Sequence, residues 1–424
     1  MKPRERVLRA INHQETDRVP VDFGGTVVTG MQASVVYRLR QALKLDPEGT
    51  PVKVIEPYQV LGEIGEDLRQ ALGIDTVPLV GANTMFGFPN SDWKPWRLFD
   101  GTPVLVPGLF NTEPNERGEI LMYPEGDRAA PPSGRMPRGG FYFDAIVRQP
   151  PIVESALDPK DNLEEFKRIS EANLERFRKE AERLRRDTDY AVVASFGGTS
   201  FGDIAMVPAV QLKHPKGIRD VEEWYASLAI RRGYIYEVFE GQCEIAIQNL
   251  ELVRQAVLDN VDVVFVSGAD FGTQRGPFLS NKTYREMFRP FHVRVNDWIH
   301  ANTRWKTFIH SCGGVAPLIG EFIEAGFDIL NPVQCSAEGM APEQLKAKYG
   351  ARVTFWGGGV DTQKTLPFGT PEQVKREVQE RTRIFSKGGG FVFNAVHNVQ
   401  AGTPEENLLA VFEGLGRIGA AGAH

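Results

Sequence analysis

Cysteine is scarce in this chain of 424 residues: Cys243, Cys312 and Cys335 are the whole set. An odd, sparse set is no disulfide framework and fits a reducing compartment. No apolar run approaches the ~20 residues that a membrane helix needs. The opening MKPRERVLRAINHQETDRVP has no apolar core of a secretory signal. An excess of basic charge is also missing. The formal charge is −6 and the pI about 5.8, so there is no footprint for nucleic acid. These absences predict a cytoplasmic protein with no membrane and no nucleic-acid partner, acting on a small molecule.

What is present is an ordinary globular balance, 42% hydrophobic and 25% charged, enough to fill a large core. A helix is predicted over Pro3–Ile11, followed by a turn at Asp17–Pro20 and a short strand, Val21 to Gly25, closing on glycines. SVVYRLRQALKL and Ile64–Leu72 read as helices, the latter ending at Gly73 as a C-cap. Residues 81–151 differ in character, with Trp93, Trp96, many prolines and glycines, and short alternating runs such as TPVLVPGLF and GEILMYPEG. That is hairpin composition, expected to pack beside the main body with some aromatic tips free to cover a substrate. AAPPSGRMPRGG within it reads as a mobile loop. The charge-alternating run at 161–188 reads as one long solvated helix.

From there the chain repeats. Apolar strand runs YAVVASFGG, VDVVFVSGADF, WKTFIHSCGG, FDILNPVQ, RVTFWGGG and GFVFNAVHN alternate with amphipathic helical segments. Continuous apolar strands alternating with helices mean a parallel sheet covered on both faces. Six such strands, the N-terminal one and another early strand approach the eight of a closed barrel. An open doubly wound sheet is the alternative, but no Gly-rich phosphate turn follows a strand in the right form. The expected fold class is α/β, a single (β/α)8 TIM barrel over 1–424 with the β-rich insertion at 81–151.

In such a barrel the chemistry sits at the carboxyl ends of the strands. Six strand ends here carry small or polar residues, among them Asp270, Gln274, His310, Cys312, Asn331, Gln334, Asp361, Asn394 and His397. His310-x-Cys312 is the sharpest signal, because residues two apart on a strand share a face. Imidazole and thiol together suit zinc, with His397 or Cys335 as a third ligand; a chance triplet with an inert buried cysteine is the plainer reading. Asp270, after VVFV and before a glycine turn, is the candidate acid/base or orienting carboxylate, and equally a loop cap. Ser200 and Asp361 fit helix or turn caps as well as a binding rim. Cys243 belongs to a helix core; His13, His214, His292 and His300 have no partner pattern, and His424 is terminal.

Taken together, R-E-R-V-x-R-A-I-N-H from Arg4 onward, GADFGTQRGPFLS, FIHSCGGVAPLIGEFIEAGFDILNPVQ, WGGGVDTQKTLPFGTPEQV and NAVHNVQAGTPEENLLAVFEGL resemble the uroporphyrinogen decarboxylase superfamily over nearly the whole chain. The region FGGTVVTGMQASVVYRLR lacks the Arg-rich element with which true decarboxylases hold substrate carboxylates. The methyltransferase-like branch is more similar. Its zinc motif is H-x-C with a later cysteine, and here His310 and Cys312 match while His397 replaces that cysteine. The resemblance implies zinc on His310, Cys312 and His397, Asp270 and Gln274 as catalytic residues beside it, and Asn331, Gln334, Asp361 and Asn394 around the substrate. It also implies methyl transfer between an O-methyl or N-methyl substrate and a corrinoid carried on a separate protein, and a homodimer. A metal-free decarboxylase is the rival, requiring Arg18, Arg275 and Arg289 as clamps; a non-enzymatic scaffold is the third.

Overall fold

In the computed structural model, which describes residues 1–418, the six late strand runs pair side by side in chain order. We label the strands β1 (Thr76–Val80), β2 (Ala191–Ser195), β3 (Val263–Ser267), β4 (Lys306–His310), β5 (Ile329–Asn331), β6 (Thr354–Trp356) and β7 (Phe391–Val392). They form one seven-stranded parallel sheet in the order β7-β6-β5-β4-β3-β2-β1.

Both edges of this sheet are tied to one short segment. Val21 bridges Phe393 in parallel, and Phe393 N–H donates to Pro20 O at 2.8 Å. On the other side Asp75 N–H donates to Val21 O at 2.7 Å, while Val21 N–H donates to Asp75 Oδ2 at 2.9 Å. The arrangement is that of a TIM-like barrel whose eighth stave is reduced to a single bridge. The reason is local: Pro20 has no N–H to extend the ladder, and Gly24 turns at φ +88°.

Alternation along the strands sorts side chains between two layers. Ala191, Val193, Val263, Phe308, Ile329, Trp356 and Val392 pack into an inner cluster with Val7 and Ile11 of helix α1 (Pro3–Ile11). The first helix therefore stoppers one end of the barrel. The intervening residues, such as Val192, Val264, Ile309, Leu330 and Phe355, join the larger outer core beneath the helices.

Residues 52–145 build two further small sheets, the first mixed, with Val52–Glu56 parallel to Pro103–Val106, and the second antiparallel. One joins Lys94–Arg97 and Pro103–Val106 to Val52–Glu56 and Leu61–Gly62, so it draws strands from before residue 81. The other is a three-stranded sheet of Ile120–Met122, Gly134–Met136 and Asp144–Ala145. Its central strand falls in the segment expected as a mobile loop, because Gly134 and Met136 are buried, and Gly134 and Arg135 pair on both sides. The charged run 161–188 is also not one helix. A 3-10 turn at Pro159–Leu163 precedes a helix at Glu171–Asp187, capped by Ser170. The Asn249 side chain accepts from Ile169 N–H and donates to Lys167 O, pinning the break. Among the described residues no helix is long and apolar enough to cross a membrane, and His424 lies outside them.

Candidate metal and substrate site

His310 ends β4 and, two residues after Phe308 of the inner cluster, faces the barrel interior with 3% of its surface exposed. Its register partner across the sheet is Asn331. His310 Nδ1 lies 2.6 Å from Asn331 Oδ1. The Asn331 amide nitrogen donates to Trp356 O at 2.8 Å, which fixes Oδ1 as the end facing the imidazole. Nδ1 therefore carries the proton, and Nε2 presents its lone pair. Replacing Asn331 by Ala should weaken zinc binding about 10–100-fold, as losing an orienting partner of a ligand histidine does. Asn331→Asp, which keeps the acceptor, should lose far less; competition against a chelating indicator distinguishes them.

Cys312 Sγ lies 3.4 Å from that Nε2. The loop carrying it is held from several sides: Cys312 N–H donates to Asp270 Oδ1 at 2.6 Å, Gly313 N–H to Gln334 Oε1 at 2.8 Å, and Ser311 N–H to Asn331 O at 2.7 Å. Gly313 is required here. It turns at φ +89°, and a Cβ would stand 2.5 Å from the Gly272 carbonyl carbon.

His397 follows β7, its ring centroid 5.2 Å from that of His310. One donor atom from each of His310, Cys312 and His397 lies within 4.8 Å of the others. Tetrahedral zinc needs donors about 3.3–3.6 Å apart. The His310–Cys312 spacing already fits, and His397 offers its donor within 4.8 Å of both. His397 Nδ1 accepts from Asn398 N–H at 2.8 Å, so its free tautomer carries the proton on Nε2, and this ligand has the most to rearrange. Burial first, and His310 second, push His397 down to about 3. Burial and Asp270 push the Cys312 thiol well above its ordinary range. Both groups are thus neutral in the free protein, and a cation between them would supply the charge that stabilises a thiolate.

A cavity of about 900 Å³ opens onto Asp270, His310 and His397. The β-rich region adds apolar and aromatic residues to the lining: Tyr58, Met85, Phe141, Tyr142 and Phe143. No Lys or Arg lines it. On the far side of the Cys312–His397 pair a second cavity, about 370 Å³, is lined by Gln274, Gln334 and Gln363.

The expected site residues therefore separate. Asp270, His310 and His397 meet the main cavity, Asn331 lies beneath His310, and Gln274 and Gln334 face the smaller cavity. Asp361 lines neither; its Oδ1 accepts from Gln363 and Lys364 N–H, the cap of a turn. Asn394 also lines neither and ties β7 to the closing stave through Asp22 O and Thr29 O. Cys335 stays out of the triad, its thiol directed to Val333 O at 3.4 Å. None of the proposed clamps reaches the main cavity: Arg18 pairs with Asp75, Arg289 with Glu321, and Arg275 is exposed on a hairpin. Two features went unread in the sequence: the aromatic triplet Phe141–Phe143, and Asp203, which lines the main cavity from the loop after β2.

This is a TIM-like α/β barrel fold with an enclosed polar site at the carboxyl ends of its strands. Residues 240–417 match the family model of uroporphyrinogen decarboxylase (URO-D). A uroporphyrinogen decarboxylase of Prochlorococcus marinus (strain MIT 9211) is 23% identical over 297 residues, which is 66% of this chain and 74% of that protein. The solved structure of a methyltransferase from Methanosarcina mazei superposes with a TM-score of 0.52 at 16% identity, covering 98% of both chains, and shares the fold. Over residues 240–417 the chain is thus similar to the uroporphyrinogen decarboxylase family.

Proposed function

We propose that this protein is a zinc-dependent methyltransferase that moves a methyl group between an O-methyl or N-methyl substrate and a corrinoid carried by a separate protein. The observation that carries the reading is the cluster of His310, Cys312 and His397 donors within 4.8 Å, with His310 already held in the ligating tautomer by Asn331. These three residues would hold the metal and leave a fourth position open toward the substrate. When bound, zinc supplies a Lewis acid for the heteroatom that bears the methyl group.

The chain's own residues do the rest. Asn331 orients His310, and Asp270 fixes the Cys312 loop by accepting its backbone N–H. The wall of Tyr58, Phe141 and Phe143 excludes water and receives the apolar body of the substrate. The second reading, a metal-free decarboxylase, is favoured by the named Prochlorococcus relative. A polycarboxylate, however, needs guanidinium or ammonium partners, and the main cavity has none.

Metal content of protein purified without chelators or a metal-binding tag tests the proposal. About one zinc per chain is the expected result. No metal after anaerobic reconstitution would sink it and return the decarboxylase reading, to be screened with polycarboxylates.

A further inference from the structure

We propose that the carboxyl group of Asp203 donates a hydrogen bond to the ether oxygen of an O-methyl substrate, whose second lone pair stays free for the metal, a role that rests on the methyl-transfer reading above. The geometry comes first. Asp203 and Asp270 both line the 900 Å³ cavity, together with His310, His397 and the aromatic residues of the β-rich region. A substrate whose apolar body lies on those aromatic residues turns its polar end toward these two carboxyl groups.

The two acids are not equivalent. Asp270 lies with Oδ1 3.8 Å from His310 Nε2 and accepts the Cys312 N–H. Asp203 has only Ala205 N–H on Oδ1, at 3.0 Å, and the Ser200 hydroxyl on Oδ2, at 3.1 Å. Ser200 Oγ in turn accepts from Gly268 N–H at 2.7 Å. Each Asp203 oxygen keeps a second position, so one of them can hold a proton without displacing a protein donor. Among the described residues no Lys or Arg lines the cavity to offset a second carboxylate in the metal-free protein. The groups facing Asp203 are Asp270 and His310 from the strand ends, Tyr225 from the helix Val221–Ile230, and Asp144 from the β-rich region. Behind it, Arg219 is engaged by Glu165 at 2.7 Å. Burial, and then Asp270, push Asp203 up from the ordinary carboxylate range, the pattern by which one acid of a pair stays neutral and able to donate.

Asp203 also shapes its own loop, through Met206 N–H to Asp203 O at 2.9 Å. A purely structural role must therefore be separated from a donating one. The probe is anisole, an uncharged aryl methyl ether, added to the full chain; the readout is the infrared difference spectrum of bound minus free protein. Buried Asp22 and half-buried Glu56 are also held up by desolvation, but lying outside the cavity lining they cancel in the difference. A protonated-carboxyl C=O band that shifts on binding, vanishes in Asp203→Asn and persists in Asp270→Asn is the expected result. The anisole Kd should rise about 10-fold in Asp203→Ala, the loss of one hydrogen bond, and change little in Asp203→Asn, which keeps a donor. No binding of anisole, no shifting band, or a band that survives Asp203→Asn overturns the proposal. Metal content is measured on the same samples: no metal after anaerobic reconstitution would reject the zinc reading, and a shifting band in that protein would leave the Asp203 donor in place.

Discussion

Asp75→Ala should lower the stability of the protein by about 3–5 kcal/mol, the typical cost of leaving buried charges without their partner. Asp75 is fully buried and accepts from Arg6 at 2.6 Å, from Arg18 at 2.8 Å and from the backbone N–H of Val21 at 2.9 Å. The Arg6 side chain is itself only 5% exposed; it keeps Asp17 on Nε and Nη2, but its Nη1 and the Val21 N–H lose their acceptor. The third bond is one of two that join Val21 of the closing stave to Asp75 at the β1 edge, so the same substitution loosens the barrel seam. Asp75→Asn retains an acceptor and one donor of the wrong kind, and should fall between the two. A surface pair gives the scale for comparison: Arg178 and Glu182 are 41% and 47% exposed, and Glu182→Ala should cost no more than about 0.5 kcal/mol. Urea midpoints of the three variants, with m-values checked for constancy, decide the matter. A loss under about 1 kcal/mol for Asp75→Ala would show that the seam is held by the backbone alone.

The parallel sheet could be read from the sequence because its strands are continuously apolar and end in polar residues. YAVVASFGG and WKTFIHSCGG became β2 and β4 with their polar ends at one rim. The closing stave was harder, since one bridge at Val21 leaves almost no periodicity. Helix ends were misjudged where a distant side chain intervenes, as Asn249 does at Ile169. The loop AAPPSGRMPRGG carries turn composition, yet its Gly134–Met136 stretch is drawn into a sheet by strands on both sides. In the site, His310 and Cys312 were visible because two-residue spacing has a direct geometric meaning. Asp203 was not, because a loop acid reads as a cap until the fold brings it across from Asp270. Asp361 and Asn394 show the reverse: polar residues at a strand end that serve the backbone.

Cys312→Ala should abolish stoichiometric zinc and, with it, methyl transfer, the largest functional effect expected from one atom. The thiol and His310 Nε2 already stand at 3.4 Å, a ligand-to-ligand spacing, so this pair forms the preorganised half of the site. His397 forms the other half at a cost. Its Nδ1 must release the Asn398 N–H, or its ring must exchange protons between nitrogens, before a lone pair is free at the metal. His397→Ala should therefore weaken zinc less than Cys312→Ala does. His397→Cys should tighten it, because a thiolate brings negative charge to the ion and has no competing tautomer. Competition titrations against a chelating indicator rank the three variants, with circular dichroism confirming that each is folded. If Cys312→Ala keeps one zinc per chain, or if His397→Cys binds more weakly than the parent, the ligand set is not His310, Cys312 and His397. The order matters beyond affinity, since an imidazole in place of a second thiolate leaves the ion more electrophilic. A tighter but less active His397→Cys variant would then identify His397 as the residue that tunes the metal toward polarising a substrate heteroatom.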